Sequence, residues 1–273
     1  MEKKTKIKLL AIQLGSEIGD IAANVSKAEK LLNESLETYS ADFVILPEVW
    51  TCGWDCAFFP ECSEEVSHSV SLKMLQSKAR QFSVNIIGGS FIEKYTDGSL
   101  RNTCPVINRN GDLVASYEKN HLYSYYGCAE GNYITSGKNP VMVELDGVKI
   151  GLSICYDIRF PELYRAYRKA GADILVNVAA WGAEKKIPWD VMTTSRAVEN
   201  QTYFVALTQT GTLQQGENLG HSMILDYKGD ILAEINKTEG AIFAEIDLEE
   251  MYDFREKCRV LDDIKNSYEV KII

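Results

Sequence analysis

VKIGLSICYDIRFPELYR, residues 148–165, changes character once, at Cys155. Up to Ile154 it is an apolar run of the kind that fills a strand buried on both faces. From Pro161 onward, a proline at a first helical position and apolar residues three and four apart read as a helix. A strand passing directly into a helix is half of a crossover, and crossovers build sheets covered by helices. A cysteine inside VKIGLSI would be ordinary core filler. Cys155 stands instead at the mouth of the strand, where open α/β sheets assemble their sites.

The same alternation extends in both directions. Apolar, β-rich runs recur as KLLAIQL, DFVILP, VNIIGGSFI, CPVINR, LVASYEK, VMVEL, DILVNVAAW, TYFVALTQT, HSMILDY and AIFAEID. Helical patterns lie between several of them: IAANVSKAEKLLNESLETYS, VSLKMLQSKARQF, PELYRAYRKAG and IPWDVMTTSRAVENQ. Asn110–Gly111, Asp146–Gly147 and Lys228–Gly229 are hairpin turn signals. Crossovers mixed with hairpins predict an α/β fold of two mixed β-sheets. Strands apolar on both faces need cover on both faces, which a four-layer αββα sandwich provides. No linker or composition break divides the chain, so residues 1–273 read as one domain.

The composition narrows the function classes. Hydrophobic residues make up 45% and charged residues 25%, as in ordinary globular proteins. A net charge of −10 argues against a nucleic-acid partner or an anionic membrane, since both call for a cationic face. No apolar run approaches the roughly 18 residues of a membrane span. MEKKTKIKLLAIQLG lacks a small-residue cleavage site and reads as a first buried strand. Seven scattered cysteines cannot all pair, which points to a reduced, cytoplasmic setting. Cys52, Cys56 and Cys62 cluster in TCGWDCAFFPEC, but a metal site needs a fourth ligand and tighter spacing. A loop with small apolar thiols is the reading adopted, with no metal and no cofactor.

Three strands end on reactive side chains: DFVILP on Glu48, LVASYE on Lys119 and VKIGLSI on Cys155. Singly, these read as a turn cap, a solvated lysine and a core thiol. Jointly, they form a catalytic set. A nucleophilic thiol needs a base, commonly histidine. His68, His121 and His221 are not at comparable strand ends, and His121, near Lys119, is the runner-up. A buried carboxylate can do the same work. Glu48 takes the Cys155 proton and passes it to a departing amine, while Lys119 supports an oxyanion. The helix start near Pro161 favours thiolate. The main-chain N–H of Tyr156, just after the nucleophile, completes the oxyanion hole.

ILPEVW with Glu48, YEKNHLY with Lys119 and ICYDIRFPELYR with Cys155 occur in the order of the nitrilase superfamily's glutamate, lysine and cysteine motifs. The chain resembles this family of carbon–nitrogen hydrolases along almost its whole length, with SRAVENQTYFVALTQTG and GHSMILDYKGDILAE as further matching segments. The resemblance implies a Glu-Lys-Cys triad, a thioester intermediate, the αββα sandwich and pairing into dimers through the helix of the cysteine motif. It also implies a second glutamate after the lysine, at the place of Glu130 in GCAEGNYITSG. CYD resembles the amidase branches, and LPEVWTCGWD with CYDIRFPELYR looks most like the ω-amidases that hydrolyse 2-oxo acid amides. An N-carbamoyl amidohydrolase or another aliphatic amidase is the alternative. A non-catalytic ligand-binding protein on the same fold is the alternative of a different class, and the three intact residues count against it.

The remaining polar residues have structural readings first. Asp157, Arg159 and Glu162 hold the turn and helix start through hydrogen bonds and ion pairs. Arg196 and Glu199, three apart on a helix, form an ion pair. Trp181 is a pocket wall, with Trp54 and Tyr125 as weaker versions of the same idea. A substrate carboxylate cannot rest beside two glutamates, so Lys185, Lys186 or Tyr125 holds it at the far end. Leu163, Tyr164 and Tyr167 spread over more than one face of their helix, which fits a homodimer or a higher homo-oligomer.

Overall fold

The computed structural model describes residues 4–125, 127–265, 267 and 269–273. In chain order the strands are β1 (Lys6–Gln13), β2 (Phe43–Ile45), β3 (Asn85–Ile87), β4 (Phe91–Lys94), β5 (Leu100–Ile107), β6 (Leu113–Glu118), β7 (Met142–Leu145) and β8 (Val148–Ile154). They continue as β9 (Ile174–Ala179), β10 (Tyr203–Thr208), β11 (Thr212–Leu213), β12 (Gly216–Glu217), β13 (Ser222–Leu225), β14 (Ile231–Ile235) and β15 (Gly240–Asp247). The helices are α1 (Ile21–Thr38), α2 (Val70–Phe82), α3 (Pro161–Lys169), α4 (Lys186–Asn200) and α5 (Leu248–Lys257).

Among the described residues the strands form a seven-stranded sheet, ordered β15-β1-β2-β3-β5-β4 with β6 beside β5, and a six-stranded sheet ordered β14-β13-β10-β9-β8-β7. Both are mixed. β1, β2 and β3 run parallel while β15 pairs antiparallel with β1, and β8, β9 and β10 run parallel between antiparallel outer strands. The period-2 alternation of strand side chains separates the layers. Ile7, Leu9 and Ala11 of β1 join the core shared with the second sheet, while Leu10 and Ile12 join α1 and α2 through Val25, Ala28, Leu32, Leu72 and Leu75. α3 and α4 pack on the other side of the second sheet, which completes the four-layer αββα sandwich. No helix among the described residues is long and apolar enough to cross a membrane.

The three turn signals each close a hairpin: β5–β6, β7–β8 and β13–β14. Asp146 (φ 54°) and Gly147 (φ 79°) are both left-handed, as a two-residue turn between twisted strands requires. VNIIGGSFI differs from its sequence reading, because it is two strands, β3 and β4, broken at Gly88–Ser90. At Gly89 (φ 67°) a Cβ would run into the Pro47 carbonyl oxygen, so the break presses the chain against the segment leading to Glu48. Two elements have only faint sequence signals. The β11–β12 ribbon has two residues per strand, and α5 has an acidic first turn and only Leu248 and Met251 buried.

Leu163, Tyr164 and Tyr167 do not spread toward a partner. All three are buried in the chain's own core, and the Tyr167 hydroxyl donates to the Leu152 carbonyl at 2.5 Å. The exposed apolar residues of this layer lie on α4, at Ile187, Val191 and Val198.

Candidate active site

Each of the three reactive residues lies just past the end of its strand. Glu48 follows β2 by three residues, Lys119 follows β6 directly, and Cys155 follows β8 directly. Two of these ends are strained. Val49, beside Glu48, has φ 38°, and Cys155 itself has φ 46°, a conformation that non-glycine residues rarely adopt. The surroundings hold the strain in place. Val49 N donates to Ser90 Oγ at 2.9 Å, and Gln209 Nε2 donates to the Glu48 carbonyl at 2.6 Å. Beyond Cys155, Asp157 Oδ2 accepts from Ile154 N at 2.9 Å and from the Tyr117 hydroxyl at 2.6 Å. Asp157 Oδ1 accepts from His121 N at 3.0 Å and lies 2.7 Å from His121 Nδ1.

The sandwich brings the set together out of water. Lys119 Nζ donates to Glu48 Oε1 at 2.8 Å and to Glu130 Oε1 at 2.9 Å, and all three side chains are fully buried. Glu130 Oε2 accepts from Tyr123 N at 2.7 Å, so the second glutamate is held by the loop after the lysine. Glu48 receives two further donors, Asn102 Nδ2 on Oε1 at 2.9 Å and Ala180 N on Oε2 at 2.8 Å. Cys155 Sγ lies 3.8 Å from the Ala180 carbonyl oxygen.

The electrostatics follow from burial and from this company. Burial draws the Lys119 ammonium down, but Glu130 and Glu48 override it and hold its pKa well above the ordinary lysine range. Burial raises Glu130 despite Lys119 beside it. Burial first, and Glu48 second, push the Cys155 thiol well above its usual range, against the pull of Lys119. This corrects the thiolate favoured by the helix start. Burial and Glu48 disfavour the thiolate, and Cys155 opens a 3-10 segment (Cys155–Arg159) that, with Phe160, stands before α3. A neutral thiol next to a carboxylate becomes a nucleophile only when its proton has an acceptor.

Cys155 opens into a cavity of about 60 Å³ whose walls include Trp54, Tyr123, Tyr156, Arg159, Trp181 and Lys185. An outer space of about 370 Å³ adjoins it, sharing Trp54, Tyr123, Lys185 and Leu213. Trp181 is a wall, with its Nε1 donating to the Lys185 carbonyl at 2.9 Å. Lys119 Nζ sits 4.7 Å from the Trp54 ring. Tyr125 is 57% exposed, with its ring 6.0 Å from those of Tyr123 and Tyr156, and the tyrosines on the cavity wall are those two. Lys185 is on the wall and paired with Glu184, whereas Lys186 pairs with Asp190 on α4 and does not line the cavity.

Arg159 departs from its sequence reading. Asp157 is engaged by Ile154, Tyr117 and His121, and Glu162 sits in the first turn of α3. The Arg159 guanidinium instead lies over the cavity, 5.4 Å from the Trp181 ring and 5.9 Å from the Tyr156 ring. The sequence signal was its place four residues past the nucleophile, masked by nearby acidic residues. Asn102 was also missed, because it lies in the polar stretch Arg101–Thr103 that precedes the apolar CPVI half of β5. Arg196 and Glu199 form the ion pair read from their spacing, at 2.8 Å. The clustered cysteines divide, Cys52 facing Cys62 and Cys56 lying 3.4 Å from Cys128. Among the described residues no group of three or more His, Cys, Asp or Glu could hold a metal ion.

These features recur in known proteins. A family model described as carbon–nitrogen hydrolase matches residues 9–256. The chain is 36% identical over 255 residues to the 2-oxoglutaramate amidase of Bacillus subtilis (strain 168), covering 93% of this chain and 96% of that protein. It is 30% identical over 263 residues to the omega-amidase of Homo sapiens, covering 93% of each. The crystal structure of a Saccharomyces cerevisiae member of branch 10 of the nitrilase superfamily matches with a TM-score of 0.86 at 28% identity, covering 93% of this chain and 94% of that one. A match that begins in β1, ends in α5 and spans the buried glutamates, lysine and cysteine makes this chain a member of the carbon–nitrogen hydrolase family.

Proposed function

We propose that this enzyme hydrolyses a small linear amide bearing a carboxylate, of the 2-oxo acid ω-amide class, to the acid and ammonia. The observation that carries the chemistry is the convergence of the buried Glu48 and Lys119 on Cys155. Glu48 accepts the thiol proton as sulfur, keeping its electron pair, attacks the amide carbonyl. Lys119 has three N–H donors and commits two of them to glutamates. Its third, with the Tyr156 N–H, stabilises the oxyanion. Glu48 then returns the proton to the amine, ammonia leaves, and a thioester remains on Cys155. Water, deprotonated by Glu48, attacks the thioester carbonyl, the C–S bond breaks to release the acid, and the proton on Glu48 returns to the Cys155 sulfur. Glu130 holds Lys119 in place throughout.

The substrate class rests on the names of the relatives and on three features of the cavity. Its small volume excludes bulky acyl groups. Two buried carboxylates repel an anion at the reacting end. Arg159 and Lys185 place positive charge on the cavity wall, and Arg159, with its planar fork of donors, is the residue we assign to the substrate carboxylate. Measuring kcat/KM for 2-oxoglutaramate, a nitrile, an N-carbamoyl amine and a neutral aliphatic amide tests the reading. Preference for the oxo acid amide supports it, and preference for the nitrile or the carbamoyl compound overturns it.

We further propose that residues 1–273 act as one catalytic domain, a reading supported by the descent of Glu48 and Cys155 from different sheets. Self-association into a dimer or larger assembly is supported by the exposed apolar side chains of α4. A cytoplasmic, reducing setting is supported by the need to keep Cys155 a thiol.

A further inference from the structure

A carboxylate oxygen has two lone-pair directions, and the surroundings of Glu48 use them unequally. Oε1 accepts from both Asn102 Nδ2 and Lys119 Nζ, at 2.9 and 2.8 Å. Among the described residues Oε2 accepts one N–H, from Ala180 at 2.8 Å, and Ala180 is the residue whose carbonyl oxygen lies 3.8 Å from Cys155 Sγ. Asn102 is fully buried on β5, and its Oδ1 has no hydrogen-bond partner among the described residues. Its backbone carbonyl accepts from Lys119 N at 2.9 Å, so the same residue registers both the base and the lysine. Turning the amide would set Oδ1 against Glu48 Oε1, two acceptors face to face. A buried amide that leaves its oxygen orphaned to aim its N–H₂ at a carboxylate is placed for that one contact.

We propose that Asn102 is a positioning residue for the base: with Lys119 it fills both lone-pair directions of Glu48 Oε1, so that Oε2 receives the Cys155 proton. The inference rests on the base role assigned to Glu48 above. It goes beyond that role by naming the receiving atom and the residue that dedicates it. The proton then moves along one path, from sulfur to Oε2 and from Oε2 to the leaving amine, with no rotation of the carboxylate between the steps. The ionisable groups facing Glu48 are Lys119, Cys155 and, across the lysine, Glu130.

The test is the pH profile of Cys155 alkylation by iodoacetamide, read by mass spectrometry, which needs no knowledge of the substrate. Asn102→Leu removes the donor at similar size, and Asn102→Asp sets a second acceptor beside Glu48. A carboxylate that loses a donor holds its proton more tightly, and one that gains an anionic neighbour does so more strongly. The acid limb should therefore move to higher pH in Asn102→Leu and further in Asn102→Asp. With an amide substrate, kcat should fall about 10- to 100-fold while KM stays within about twofold, as for a misplaced catalytic group. Variants that melt like the parent and keep its acid limb and kcat overturn the proposal, as does a loss confined to KM. Glu48→Gln separates the two readings. A limb that survives Glu48→Gln removes the base role itself, whereas a limb lost in Glu48→Gln but unmoved by both Asn102 variants removes only the role of Asn102. Should both variants fail to fold, neutron diffraction on the unaltered protein decides. Deuterons on Asn102 Nδ2 facing Glu48 Oε1 support the assignment, and Oδ1 facing Glu48 overturns it.

Discussion

Ala180 N donates to Glu48 Oε2 at 2.8 Å across 132 positions of sequence. The donor follows β9 in the six-stranded sheet, and the acceptor follows β2 in the seven-stranded one. The base is therefore held in place by the packing of the two sheets, and the thiol it serves rises from the neighbouring β8. Any change in the spacing of the sheets changes the chemistry.

Cys155→Ala should abolish turnover, and iodoacetamide should inactivate in proportion to modification at Cys155. A thiol becomes a nucleophile when its proton has an acceptor, so alkylation of Cys155 depends on the base. Glu48→Gln should slow alkylation at neutral pH by about 100-fold, the scale of a lost general base. Peptide mapping after limiting alkylation checks both. Full activity with Cys155 modified rejects the mechanism.

Lys119→Met should cost both rate and stability. Losing the oxyanion donor should lower kcat by about 100-fold or more. The substitution also leaves Glu48 and Glu130 buried without their shared cation, which costs about 3–5 kcal/mol for a broken buried pair. Adding Glu130→Gln removes one of the stranded charges, so the double variant should melt above Lys119→Met while remaining inactive. Calorimetry on the pair checks this, and equal melting temperatures would show that the two glutamates do not repel through the site.

Arg159→Met should act on substrate choice. A charge-assisted contact is worth about 1.5–3 kcal/mol, so kcat/KM for a carboxylate-bearing amide should fall roughly 10- to 100-fold. The value for a neutral aliphatic amide should change little, because such a substrate carries no carboxylate for Arg159 to hold. Equal losses on both substrates would move the carboxylate contact to Lys185.

Val191→Glu should shift the protein toward the monomer. Val191 is 58% exposed on α4 between Ile187 and Val198, and a buried unpaired carboxylate opposes association. Light scattering at micromolar concentration reads the mass. A parent protein already monomeric there rejects self-association outright.

Prolonged dialysis against a chelator should leave activity intact, since the proposed proton, nucleophile and oxyanion roles fall on Glu48, Cys155, Lys119 and the Tyr156 N–H. Cys52, Cys56 and Cys62 do not converge, being divided between Cys62 facing Cys52 and Cys128 facing Cys56. Activity lost on dialysis and restored by zinc would reopen that cluster as a metal site.

Much of this protein was determined by the sequence alone, because the signals that decide it are local. Helix α2 spans the periodic run VSLKMLQSKARQF, and hairpins close where Asn110–Gly111, Asp146–Gly147 and Lys228–Gly229 supply left-handed turn geometry. Glu48, Lys119 and Cys155 were legible because each interrupts an apolar run at a strand's end. What only the tertiary structure decided depends on contacts between residues far apart in the chain. The helical spacing of Leu163, Tyr164 and Tyr167 is the same whether they face a partner or their own core, and the second sheet buries them in the core. Arg159 resembles an ion-pair residue until Tyr117 and His121 are seen to occupy Asp157. Which oxygen of Glu48 keeps an unused lone-pair direction has no sequence signal, since its donors come from positions 102, 119 and 180. Hydrogen bonds and charges act through space at about 3 Å, and chain order carries that distance only after the sheets have packed.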